Sequence, residues 1–265
     1  MKMNNVVLLV GPSGTGKTTI AQIAEEKFGK RQVVSHTTRP KRLPEEQGHY
    51  FVSQEEFDRL RDELVAYTKF CGYEYGASQK VVDESDLYVI DPEGVRYFLS
   101  SYTGEKTPVV VLLSADEKTC AERMLGRGDS QQDVDSRLRH DRGAFRDTGF
   151  NCMTAHLDVS RMSADIAAEV IVRMFLTDSR LAKTEMSAEA AKHIRRLTKQ
   201  VYSKGNRIKL LEMVDDYAPA KPGSTATIER IDDMGQLWCI WDDISCGLAV
   251  IPGVDMFNVL PGSAQ

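Results

Sequence analysis

The segment Gly11-Pro12-Ser13-Gly14-Thr15-Gly16-Lys17-Thr18 restricts this chain more than any other. It follows Asn5-Val6-Val7-Leu8-Leu9-Val10, an apolar β-branched run that reads as a buried strand. It precedes Thr19-Ile20-Ala21-Gln22-Ile23-Ala24, which reads as the start of a helix. Strand, glycine-rich loop and helix in that order are the setting of the G-x-x-x-x-G-K-[ST] phosphate loop. The glycines let backbone N–H groups close around an anion, at a helix end whose dipole favours negative charge. Gly11, Ser13, Gly14, Thr15, Gly16, Lys17, Thr18 and Thr19 are the expected phosphate contacts. Lys17 would reach the β/γ-phosphates and the Thr18 hydroxyl would ligate Mg²⁺. A tight turn without a ligand is the alternative, but every fixed position is filled and both flanks fit. A nucleoside triphosphate is therefore expected.

Residues 1–176 alternate short apolar runs with helical patterns. Val6–Val10, Leu87–Ile90 and Val109–Leu113 read as buried parallel strands. Ile20–Phe28, Gln54–Leu64, Glu117–Leu125 and Ala164–Phe175 read as helices, and Ser53 with Glu56 forms a capping box. This predicts an α/β fold, a parallel sheet flanked by helices with right-handed crossovers. Thr177–Lys204 reads as a helical connector. From Arg207 onward, Lys209–Val214, Ala226–Arg230, Leu237–Trp241 and Leu248–Ile251 alternate between turn segments, as in a small all-β barrel. Three parts are expected: a P-loop domain over 1–178, a linker over 179–205 and the β-barrel over 206–265.

A net charge of −5 argues against a general nucleic-acid partner. No apolar run reaches bilayer length, so no membrane partner is expected. Five scattered cysteines, Cys71, Cys120, Cys152, Cys239 and Cys246, without a C-x-x-C pair, read as reduced thiols in a cytoplasmic protein.

Ser35-His36-Thr37-Thr38-Arg39-Pro40-Lys41-Arg42 is dense in cations and hydroxyls. Arginine's planar fork suits a second phosphate or a carboxylate, although basic loops are often simply solvated. Together with Glu45, Gly48-x-Tyr50-x-Val52-Ser53-x-Glu55-Glu56-Phe57 and Phe70-x-Gly72-x-x-Tyr75-Gly76, these motifs resemble the guanylate kinase family. The order and spacing agree, apart from about one residue missing before Tyr50. Arg123-x-x-x-Arg127-Gly128 followed by Arg137 resembles that family's lid. The resemblance covers residues 4–176. It implies ATP- and Mg²⁺-dependent phosphoryl transfer to a nucleoside monophosphate, GMP or dGMP by default. It places the acceptor phosphate on Ser35, Arg39, Arg42, Tyr50 and Tyr75, and gives Arg127 and Arg137 transition-state roles beside Lys17. In-line transfer of this kind rests on positioning and charge, so no general base is required. Asp91, after Tyr88-Val89-Ile90, is a second candidate for Mg²⁺ or its water, or else an ordinary turn aspartate before Pro92.

The base-reading positions depart from the family. Ala66 stands where a glutamate accepts guanine N–H groups, and Val89 where a second carboxylate is used. Ala77 replaces a serine, with Ser78 adjacent, and Asp62 or Glu63 could substitute only under a shifted alignment. Loss of buried acceptors weakens base discrimination. Residues 207–262 resemble a small uncharacterised SH3-like bacterial domain. There Trp238 and Trp241 read as core, and Asp215-Asp216, Asp232-Asp233 and Asp242-Asp243 as turn residues. An unidentified protein partner would suit that barrel. Two alternatives stand beside a nucleoside monophosphate kinase. One is a kinase for another phosphorylated acceptor, such as a different nucleotide or a ribose phosphate. The other is a non-catalytic protein-binding module, against which the complete Gly11–Thr18 loop speaks.

Overall fold

A computed structural model describes residues 2–260 apart from 42–43, 47, 71, 148–151 and 216, with the backbone alone at 70, 146 and 147. Arg42, Cys71 and Asp216 therefore lie outside the described residues. The chain divides into two compact units, Val6–Arg161 and a second made of Met1–Asn5 with Met162–Gln265.

In chain order, the elements that begin the first unit are β1 (Asn5–Val10), α1 (Lys17–Phe28), β2 (Ser35–Thr37), β3 (His49–Phe51) and α2 (Gln54–Leu60). They continue with β4 (Leu64–Phe70), β5 (Tyr73–Ser78), α3 (Gln79–Asp83), β6 (Leu87–Val89) and α4 (Pro92–Ser101). They end with β7 (Thr107–Ser114), α5 (Glu117–Gly126), α6 (Gln131–Arg142) and β8 (Ala155–Asp158). Among the described residues one sheet has the order β6-β1-β7-β8, and β1 with β6 and β7 with β8 run parallel. Val6 to Val10 are fully buried, as expected of a strand covered on both faces. The three expected strands and the helices near Ile20–Phe28 and Glu117–Leu125 are present.

A second sheet, β3-β2-β5-β4, was not legible as strands, because β2 and β3 span three residues each. The helix expected over Gln54–Leu64 ends early. α2 stops at Leu60, a 3₁₀ turn covers Arg61–Glu63, and Leu64 opens β4. Pairing of Leu64 with Ser78 and Ala66 with Ala77 overrides the local helical pattern. The α2 start is as read, with Ser53 and Glu56 closing a full capping box.

The second unit contains α7 (Ala164–Phe175), α8 (Ser179–Ala182), α9 (Ala188–Val201), β9 (Arg207–Glu212), β10 (Thr225–Ile231), β11 (Leu237–Trp241), β12 (Leu248–Val250) and β13 (Met256–Val259). α8 and α9 fall within the segment read as a helical connector. α9 buries Ala190, Ile194, Leu197 and Thr198, one face of a helix. The strands form an antiparallel sheet in the order β12-β11-β10-β9-β13. Trp241 is core, donating its indole N–H to Leu248 O at 3.1 Å. Trp238 is less covered and donates to Asp232 at 2.9 Å under the Arg230 guanidinium. No described helix is long and apolar enough to cross a membrane.

Candidate active site

The phosphate loop leaves the C-terminal end of β1 and opens α1. Two glycines pin it to its neighbours. A Cβ on Gly11 would lie 2.5 Å from Leu113 O of β7, and one on Gly14, whose φ is +80°, 2.5 Å from Cys120 O of α5. Only glycine permits that approach. The buried Thr15 donates its hydroxyl to Pro12 O at 2.7 Å, while Thr18 and Thr19 are exposed in the first turn of α1. Arg123 of α5 braces the loop from outside. One guanidinium nitrogen reaches Gly14 O at 3.4 Å and another Val159 O at 2.9 Å.

Lys17 folds back over the loop and donates to Gly11 O at 2.6 Å and Pro12 O at 3.0 Å. Burial lowers its pKa to about 8. The Asp141 carboxylate opposes that shift, and Arg127 and Arg137 add to it. All three therefore lie within electrostatic reach of the Lys17 ammonium. Arg127 caps α5 and pairs with Asp129 at 2.6 Å, with Arg137 Nε 3.9 Å from the same carboxylate. Arg127 and Arg137 thus meet at Asp129, within electrostatic reach of Lys17. Asp141 was not foreseen. Its carboxylate accepts the Ser13 backbone N–H at 2.7 Å, so it occupies a donor of the phosphate loop. The available signal was its place four residues after Arg137, on the same face of α6.

The acceptor-side residues lie on the β3-β2-β5-β4 sheet. β2 pairs Ser35 with His49, His36 with Tyr50 and Thr37 with Phe51 in β3, and Thr37 with Tyr75 in β5. Side chains alternate along a strand, so Ser35, His49 and Tyr75 share one face. Ser35 Oγ is 2.9 Å from His49 Nδ1 and is also bonded to the Tyr88 hydroxyl. The His49 and Tyr75 rings meet edge-on at 5.6 Å. Arg39 follows β2, lies over the Phe51 ring, bonds Tyr75, and grips Glu46 through both terminal nitrogens at 2.7 and 3.3 Å. Tyr50 falls on the opposite face, half exposed, with its ring 5.0 Å from His36. The structure thus joins Ser35, Arg39 and Tyr75 and does not join Tyr50 to them.

Glu74 holds the sheet's other face together and was also missed. It accepts from Tyr67 at 2.6 Å, Gln54 at 2.5 Å and Arg61 at 2.9 and 3.0 Å. Burial alone would raise its pKa, but these donors hold it at about 2. Its backbone N–H reaches Thr38 Oγ1 at 2.9 Å, beside Arg39. An acidic residue between Tyr73 and Tyr75 in a strand was the only sequence signal.

Ala66 and Ala77 are cross-strand partners, 1% and 0% exposed, within an apolar cluster that includes Val65, Val82 and Tyr88. Val89 lies opposite Leu9 in β1. Asp62 and Glu63 instead line a cavity of about 360 Å³ with Ser78, Gln79 and Lys80. Asp91 ends the strand beside β1 and caps α4. Its two oxygens accept Gly94 N–H at 2.6 Å and the Thr68 hydroxyl at 2.8 Å. Among the described residues no group of three or more His, Cys, Asp or Glu is placed to hold a metal by itself. The Thr18 hydroxyl and the Asp91 carboxylate are oxygen donors of the type that a hard cation such as Mg²⁺ takes beside waters and phosphate oxygens.

The chain is similar to known proteins along most of its length. The guanylate kinase family model matches residues 2–153, and a domain of unknown function (DUF4314) matches residues 190–260. A guanylate kinase of Neisseria meningitidis serogroup A is 32% identical over 181 residues, covering 62% of this chain and 86% of its own. A guanylate kinase of Anaplasma phagocytophilum is 33% identical over 147 residues, 51% of this chain and 70% of its own. The crystal structure of guanylate kinase from Anaplasma phagocytophilum covers 75% of this chain and 96% of its own, at 21% identity and a TM-score of 0.43. The family match takes in more than half of the chain, including the phosphate loop and the arginines around it, and the chain belongs to the guanylate kinase family of nucleoside monophosphate kinases.

Proposed function

We propose that the chain transfers the γ-phosphoryl group of ATP to the phosphate of a nucleoside monophosphate, with GMP or dGMP as the default acceptor. The observation that carries this reading is the complete glycine loop with Lys17 folded over it, and Arg127 and Arg137 gathered at Asp129 within electrostatic reach of that lysine. Three cations there match the charge that spreads over a transferring phosphoryl group. In this reading the loop N–H groups from Gly11 to Thr19 hold the donor phosphates and Lys17 bridges the β- and γ-oxygens. Arg127 and Arg137 neutralise charge as the bond to the leaving oxygen lengthens. Arg39, Arg42, Ser35 and Tyr75 hold the acceptor phosphate, whose oxygen is already an anionic nucleophile. Mg²⁺, held by Thr18 and by Asp91 directly or through water, would supply charge neutralisation on the β/γ-oxygens when bound. Asp141 must leave the Ser13 N–H as the phosphates enter, and Glu46 must yield Arg39 to the acceptor.

The Ala66–Ala77 pair supports relaxed base selectivity. Two buried methyl groups cannot accept the N–H groups of guanine. We expect GMP to be favoured over other monophosphates by less than about a hundredfold. Coupled ADP release, measured as kcat/KM for GMP, dGMP, AMP, CMP and dTMP, tests both statements. Transfer to none of them would refute kinase activity toward nucleoside monophosphates. A preference for GMP of many thousandfold would refute relaxed selectivity alone.

A further inference from the structure

His49 and Tyr50 are neighbours in β3, so they face opposite sides of the sheet. In a strand, a shift of one residue moves a side chain to the other face. The register shows the consequence: Tyr50 pairs with His36 on the far face, and His49 pairs with Ser35 on the face that carries Tyr75. We propose that His49, rather than Tyr50, is a ligand of the acceptor phosphate, donating from its distal nitrogen Nε2. This deepens the proposed function and rests on it.

The Ser35 hydroxyl lies 2.9 Å from His49 Nδ1 and can donate to it. An imidazole that accepts at Nδ1 carries its hydrogen at Nε2. The edge-on Tyr75 ring and the Phe51 ring, 5.6 and 6.0 Å from the His49 ring, limit its rotation. Arg39, which bonds Tyr75, brings the guanidinium to the same group. One cationic fork, one phenol and one imidazole N–H then form the grip on a phosphate monoester.

Two amide substitutions separate this role from a structural one. In His49→Gln the side-chain NH₂ falls near the position of Nε2. In His49→Asn it falls near Nδ1, beside Ser35, and the distal donor is lost. Steady-state kinetics with GMP and ATP on the full chain are expected to give an acceptor KM about tenfold higher for His49→Asn, the scale of one hydrogen bond to a charged group. His49→Gln should stay within about threefold of the unaltered chain, and the KM for ATP should hold in both. The reverse order, with Asn tolerated and Gln impaired, would assign His49 to holding Ser35 and overturn the proposal. So would a tenfold rise in acceptor KM for Tyr50→Phe with His49→Asn silent. Absence of transfer by the unaltered chain to any monophosphate would instead refute the parent reading, and this assignment with it.

Discussion

ATP binding should draw a proton onto Lys17, and the amount can be worked from the structure. Burial lowers the Lys17 pKa from 10.5 to about 8, against the pull of Asp141. Half of the ligand-free molecules therefore carry a neutral amine near pH 8. Donor phosphates on the loop restore the ordinary value or more, because an adjacent anion favours the ammonium. Uptake per ATP is then roughly 0.1 proton at pH 7, about 0.5 at pH 8 and about 0.9 at pH 9. The depression of the pKa corresponds to about 3 kcal/mol, an upper value for a side chain that is only partly covered. Calorimetric titration with ATP in buffers of small and large ionisation enthalpy measures the uptake directly. Lys17→Arg is the control, since a guanidinium stays charged throughout and should take up none. Equal apparent enthalpies in both buffers at pH 8.5 would refute the reasoning. The same shift has a folding consequence. Between pH 8 and 10.5 the unfolded chain holds the Lys17 proton more tightly than the native one, so native stability from this residue rises with pH across that window.

Asp141→Ala frees the Ser13 N–H and removes a charge that phosphates must displace. Calorimetry should show ATP binding about three- to tenfold tighter, and weaker binding would assign Asp141 a supporting role instead. Glu74→Gln strips the carboxylate from Tyr67, Gln54 and Arg61, and urea unfolding at pH 7 should record a loss of about 1 to 3 kcal/mol. Because Glu74 is held at about 2 against an ordinary 4.5, its contribution is complete above pH 4.5 and vanishes as pH falls toward 2. The gap between the two proteins should accordingly narrow by pH 3. Gly14→Ala forces a Cβ to within 2.5 Å of Cys120 O at a φ of +80°. Thermal unfolding should report a loss of about 1 to 3 kcal/mol together with weakened ATP binding.

The sequence by itself determined the donor side. A buried strand, eight loop residues and a helix start are contiguous, so local pattern carries fold and chemistry at once, and Lys17 needs no distant partner to be recognised. The strands Val6–Val10 and Val109–Leu113 were legible for the same reason, since continuous apolar runs mark burial on both faces. Tertiary structure alone decided the rest. Asp141 reaches Ser13 across 128 positions, a contact that no spacing encodes. Leu64 became a strand because Ser78 pairs with it, against a helical local pattern. Ala66 and Ala77 read as two separate losses and proved to be one closed apolar pair. Whether His49 or Tyr50 faces Ser35 is fixed by strand register. In a pleated strand neighbouring residues point to opposite faces, and only the pairing partner settles which face the site occupies.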